Sequence, residues 1–138
     1  YYQEHPVVLF DTIYGKGAYK IIGLFMENVN YDQNPVGEMF EYHNKFDLNE
    51  AEFNDYIANV MERSYFTTGV DVQYGDQLLT LSTCDYDVND HDFRIALVAR
   101  KVRDGETTEV DTSAAAANTG MKMPKEWVAK YGKENPYQ

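Results

Sequence analysis

The chain has 138 residues, 43% hydrophobic and 25% charged, the composition of one globular domain or a piece of one, long enough to bury a single core. A formal net charge of -11 argues against a nucleic-acid binder, which needs a basic patch to neutralise phosphates, and disfavours docking on anionic lipid headgroups. No run reaches the roughly 18 to 20 apolar residues of a membrane span, and the first residues lack the basic and apolar regions of a signal peptide. A mature extracellular domain separated from its export signal has this character, and so does a cytosolic protein.

In chain order, residues 7–14 are rich in strand formers and run into the turn signal Gly15-Lys16-Gly17. A second β-branched and aromatic run covers 18–29, so the two are predicted as a hairpin. Residues 30–46, with Asn34-Pro35 and Gly37, form a polar, turn-rich connection. The one strong helix spans 47–64. Asp47 stands where a cap is needed, with Glu50 at the capping-box spacing, and Phe53, Ile57, Val60 and Met61 recur as one apolar stripe. A short strand at 70–73 and a turn at Tyr74-Gly75-Asp76 precede a clear strand at 78–84. An acidic loop over 85–92 leads into the last strong strand, 93–102.

The remainder differs in kind. Residues 103–120 are polar, contain a four-alanine run and read as a linker, and 124–131 has the pattern of a short amphipathic helix around Trp127. The organisation expected is a β domain over 1–102, then a polar linker and short helical extension over 103–138. The fold class is mainly β and antiparallel, with one helix inserted before the cysteine strand and too few strands for a closed barrel.

Cys84 is the single cysteine, so it makes no internal disulfide and is either an inert buried thiol or a reactive one. By strand alternation Leu79, Leu81 and Thr83 share one face, while Leu78, Thr80, Ser82 and Cys84 share the other. In the next strand Ile95, Leu97 and Ala99 form an apolar face, and Arg94, Ala96, Val98 and Arg100 point the opposite way. Antiparallel pairing then puts Cys84 and Arg94 at the same end of one hairpin. A fixed cation there lowers a thiol pKa from its free value of about 8.5, which matters because the thiolate is the nucleophile. Arginine is always protonated. Its roles would be to hold the thiolate, orient a carbonyl or steady an oxyanion. The plainer alternative is a core cysteine beside a surface arginine, although Cys84 ends its strand next to Asp85.

Thr80-Leu81-Ser82-Thr83-Cys84, with Arg94 ten residues on, resembles the signature of sortases, whose TLxTC strand supplies the nucleophile and whose next strand supplies an arginine. The inserted helix, and the passage from Arg63-Ser64-Tyr65 to Thr68-Gly69-Val70 behind it, resemble class B. The resemblance covers roughly residues 1–102. It implies a sortase-type β-barrel, partial over these residues, and a cysteine transpeptidase. In that chemistry Cys84 cleaves a C-terminal sorting signal at a Thr–Gly or Thr–Asn bond and forms a thioacyl enzyme. The acyl group then passes to an amine of a cell-wall precursor or a pilin, with Arg94 as cationic partner and Ser82 and Thr83 at the substrate. The resemblance calls for no cofactor and no metal. It also implies a place on the extracellular face of the bacterial membrane, behind an N-terminal anchor, and an N-terminal part of the same enzyme that completes the barrel.

The family's catalytic histidine belongs to that upstream part. His5 precedes a proline, His43 lies in the 30–46 connection and His91 in the acidic loop, and each reads as a surface residue. General acid–base catalysis contributes about 10²- to 10⁴-fold, so these residues alone are expected to be inactive. A second reading is a non-catalytic binding or scaffold domain with an acidic, calcium-binding surface. Residues 85–92 alternate acidic and amide oxygens like the start of an EF-hand loop, but Asp90 replaces the sixth-position glycine and Ala96 the final glutamate.

Overall fold

In the computed structural model, residues 1–30 and 39–138 are described. Asn34, Pro35 and Gly37 of the expected connection lie outside the described residues. The elements are β1 (Val7–Leu9), β2 (Ala18–Asn28), α1 (Glu50–Arg63), β3 (Phe66–Thr67), β4 (Leu78–Asp85), β5 (Phe93–Lys101), β6 (Ala116–Ala117) and α2 (Lys125–Tyr131). Strands β1-β2-β5-β4, in that order, form an antiparallel sheet that curls into a half-barrel, and β3 pairs with β6 in a separate ribbon.

The expected hairpin forms, but its tip is earlier than the glycine pair suggested. Thr12 and Gly15 exchange backbone hydrogen bonds of 2.8 and 3.2 Å, closing a tight turn before Gly17. The β2–β5 register shifts between Ile21 and Gly23, the mark of a bulge. Helix α1 crosses the sheet at that point. A Cβ on Gly23 would lie 2.8 Å from Val60 Cγ1, so only glycine admits the helix this closely. The Leu24 N–H donates to Ser64 Oγ at 3.1 Å, and the Tyr65 N–H donates to the Leu24 carbonyl at 2.8 Å.

The capping box of α1 sits two residues later than expected. Asn49 Oδ1 accepts from the Glu52 N–H at 3.1 Å, and the Glu52 carboxylate accepts from the Asn49 N–H at 2.9 Å. Asp47 has φ 52, in the left-handed region, whereas a cap residue needs extended backbone. The buried stripe is Phe53, Tyr56, Ile57 and Val60. Met61 is 45% exposed because, at 3.6 residues per turn, it rotates off the edge of that stripe.

No strand forms at 70–73; Val70 and Val72 pack on the core without ladder partners, and the local strand is β3. The turn after them is as expected, with the Asp76 N–H on the Gln73 carbonyl at 3.1 Å. Strands β4 and β5 match their expected ranges to within a residue. Which face of β5 is buried differs from expectation. Ala96 and Val98, fully buried, meet α1 and Phe25, while Ala99 on the other face packs with Ile21. A central strand is covered on both sides, so the apolar count of one face is a poor guide to the core.

Residues 103–120 carry more structure than their composition suggests. Glu106 accepts from Arg100 Nη1 at 2.5 Å, Arg100 Nη2 at 2.9 Å and Lys20 Nζ at 2.7 Å, and Arg100 is 1% exposed. A polar side chain that neutralises a buried cation has the same composition as a solvated one. The C-terminal helix appears where the apolar spacing put it, with Trp127 buried against Met26, Phe93, Met121 and Met123.

Candidate functional site

The β4–β5 ladder pairs Cys84 with Arg94, Ser82 with Ala96 and Thr80 with Val98. Directly opposed residues share a face, so the hairpin brings the Cys84 and Arg94 backbone positions together at one end, as the alternation required. Cys84 is exposed, which removes the reading of a buried core thiol.

The guanidinium is held from behind. Arg94 Nη1 donates to the His91 carbonyl at 3.0 Å and the Phe93 carbonyl at 2.7 Å. No hydrogen bond joins Arg94 to the Cys84 thiol among the described residues, and no described carboxylate lies within ion-pair distance of it. The third member of the row is Glu27 on β2, which pairs with Arg94 across the other ladder. Its carboxylate turns to α1 instead, accepting from Arg63 Nε at 3.1 Å and from the Phe40 N–H at 3.3 Å. Burial pushes the Glu27 carboxyl above its ordinary pKa, and Arg63 opposes that shift. Arg63 is thus the ion-pair partner of the acid that stands opposite Arg94 in the ladder.

Along the same face of β4 runs a groove of about 300 Å³ between β4, Tyr56 of α1 and the segment around Tyr42. The Tyr42 hydroxyl and Ser82 Oγ are 2.7 Å apart, and the Tyr56 hydroxyl and Thr80 Oγ1 are 3.2 Å apart. Ser82 therefore lines a groove two residues from Cys84. Thr83 does not: it pairs with Ile95 and by alternation faces the other side of the sheet. His43 also lines the groove. His5 and His91 are exposed elsewhere. Sequence reasoning missed Tyr42 and Tyr56. The helical spacing from Phe53 marks Tyr56 as buried, but nothing local pairs it with a strand 24 residues on.

The acidic loop turns its oxygens inward. Asp85 Oδ1 accepts from the Asp87 N–H at 2.9 Å, and Asn89 Oδ1 accepts from the Asp92 N–H at 2.9 Å and the His91 N–H at 3.1 Å. Asp92 accepts from Asn89 Nδ2 at 3.0 Å. Among the described residues no three His, Cys, Asp or Glu side chains converge as a metal site.

No family model matches the chain. It is 23% identical over 103 residues to sortase B of Staphylococcus aureus, a match spanning 75% of this chain and 38% of that protein. The chain is homologous to sortase B over part of its length. The crystal structure of Staphylococcus aureus sortase B superimposes with a TM-score of 0.60 at 22% identity, covering 74% of this chain and 44% of the other. A Staphylococcus aureus sortase B–substrate complex gives a TM-score of 0.60, and a mutant form of Clostridium perfringens sortase B gives 0.57 at 24% identity. These likenesses establish a sortase B fold for the half-barrel. The chain spans less than half the length of these relatives.

Proposed function

We propose that this chain is the C-terminal part of a sortase B-type cysteine transpeptidase in which Cys84 is the nucleophile. The observation that carries the proposal is the cross-strand pairing of an exposed Cys84 with an Arg94 that no described carboxylate neutralises. The Cys84 thiolate attacks the carbonyl carbon of a Thr–Gly or Thr–Asn bond in a sorting-signal peptide. Arg94, a permanent cation, faces the oxyanion of the tetrahedral adduct. Collapse expels the amine and leaves a thioester on Cys84. An amine of a cell-wall precursor or a pilin then attacks the thioester, forms the new amide and returns the thiol. The peptide backbone follows the groove past Ser82 and Tyr42.

The proton for the leaving amine comes, in this proposal, from a histidine on the N-terminal part of the same enzyme. Strand β4 is an edge strand of the sheet, so its outer ladder groups are open to a further strand that extends the half-barrel. The whole enzyme works at the extracellular face of the bacterial membrane. The test is cleavage of a sorting-signal peptide by the full enzyme: Cys84→Ala must abolish it, and cleavage that survives sinks the reading. For this chain alone, a neutral alkylating reagent should modify Cys84 more slowly once Arg94 becomes Ala.

The position of His43 in a groove whose lining does not include Cys84 favours a second reading, a non-catalytic sortase-like binding module. It requires that sorting-signal peptide bind with Cys84→Ala and wild type alike and that neither yields a thioester.

A further inference from the structure

The β4–β5 ladder fixes the backbone of Arg94 but leaves its guanidinium to the loop behind it. That loop carries Asp85, Asp87, Asp90 and Asp92, which repel one another across eight exposed or half-buried positions. Left to itself such a segment frays. The C-terminal segment meets it from two sides. Trp127 of α2, 7% exposed, packs in one cluster with Phe93, and Val88 of the loop packs on the same cluster. One turn on, the Tyr131 hydroxyl donates to Asp87 Oδ1 at 2.8 Å, and the Lys130 ammonium donates to the Asp87 carbonyl. Lys130 is thus a cation set against the acidic loop. The Trp127 and Tyr131 rings, 4.7 Å apart at i and i+4, make one stiff edge.

The far side of the same segment is anchored on the C-terminal end of α1 and the two residues after it. The Asn118 amide donates to the Ser64 carbonyl at 2.9 Å and the Met61 carbonyl at 3.2 Å, and the Tyr137 hydroxyl donates to the Tyr65 carbonyl at 2.6 Å. Two routes then converge on Arg94. One passes from Asp87 along the loop to the His91 carbonyl; the other passes from Trp127 through Phe93, whose carbonyl also holds Nη1.

We propose that α2 clamps the β4–β5 loop and so positions the Arg94 guanidinium at the Cys84 end of the hairpin, with Trp127, Lys130 and Tyr131 as positioning residues. This rests on the transpeptidase reading of Cys84 and Arg94. The test compares the full chain with a Lys130→Ala/Tyr131→Phe variant, which removes the polar bonds and keeps Trp127 packed. Amide hydrogen exchange at residues 87–92 should rise about tenfold while β2 is unchanged. Alkylation of Cys84 by iodoacetamide should shift in rate, and Arg94→Ala should then have less effect than it has in the wild type, because both changes act on one guanidinium. Unchanged loop exchange overturns the clamp. Faster exchange with additive effects on alkylation overturns the positioning role and leaves only a structural tie. If Arg94→Ala alone leaves alkylation unchanged, the transpeptidase reading fails, and loop exchange by itself decides whether the clamp exists.

Discussion

Glu27 stands directly across from Arg94 in the β2–β5 ladder, yet its carboxylate is bonded to Arg63 of the helix at 3.1 Å. Helix α1 therefore does two things at the sheet. It supplies buried side chains to the core, and it supplies a cation to the acid opposite Arg94 in the ladder.

Arg63→Met removes that cation and leaves Glu27, 3% exposed, without its partner. Losing one member of a buried pair costs about 3 to 5 kcal/mol. The double variant Arg63→Met/Glu27→Gln should recover more than half of the loss in urea unfolding, since no buried charge then remains unpaired. A double variant no more stable than the single one would remove the ion pair from the account.

Gly23→Ala should destabilise by about 1 to 3 kcal/mol, the range for overpacking a closed interior. The added Cβ would sit 2.8 Å from Val60 Cγ1, a side chain that is fully buried and stiff at its branch. Val60→Ala in the same chain should make the glycine substitution nearly neutral. The urea midpoint of the four variants reads this directly.

Acid stability should depend on Glu106. Hydrogen bonds from Arg100 first, and then from Lys20 and the Arg103 N–H, hold its carboxyl well below the usual range. A carboxylate depressed in the folded state contributes stability that is present above its unfolded pKa, about 4.3, and is lost as pH falls toward the folded value. Glu106→Gln should be less stable than wild type at neutral pH, and the gap should narrow steadily below pH of about 4. A gap independent of pH would show that packing, not charge, carries the effect.

At the other extreme lies Tyr65. Its phenol is pushed up to about 12, by burial first and then by Asp85, Asp87 and Tyr137. A phenol raised in the folded state adds stability that holds below its unfolded pKa of about 10 and disappears as pH rises through the folded value. The stability of wild type relative to Tyr65→Phe should fall between those two values. The phenolate absorbance missing from Tyr65→Phe should appear in the wild type only near the upper one.

Much of the candidate site was legible because it is local. Residues 78–84 and 93–102 alternate at period two around a short loop, and this suffices to put Cys84 and Arg94 on one face at one end. The same alternation already separated Thr83 from Ser82. The α1 cap was misplaced by two residues because Asp47 and Asn49 are equally good caps by type, and only the backbone turn at Asp47 distinguishes them. The linker reading of 103–120 rested on polarity, which is silent about whether a charge is solvated or, like Glu106, set against a buried arginine.

By itself, then, the sequence determined the four strands of the main sheet, both helices to within a few residues, the cysteine–arginine hairpin and the resemblance to sortases, all of which rest on periods and spacings within about 20 residues. Tertiary structure alone decided that Arg63 takes Glu27, that Tyr42 and Tyr56 close a groove on Ser82 and Thr80, and that α2 reaches the loop behind Arg94. Those pairings join polar groups 24 to 44 residues apart. A polar side chain carries no period that names its partner. Only the packing of α1 and α2 on the curled sheet brings the members of each pair within hydrogen-bonding distance.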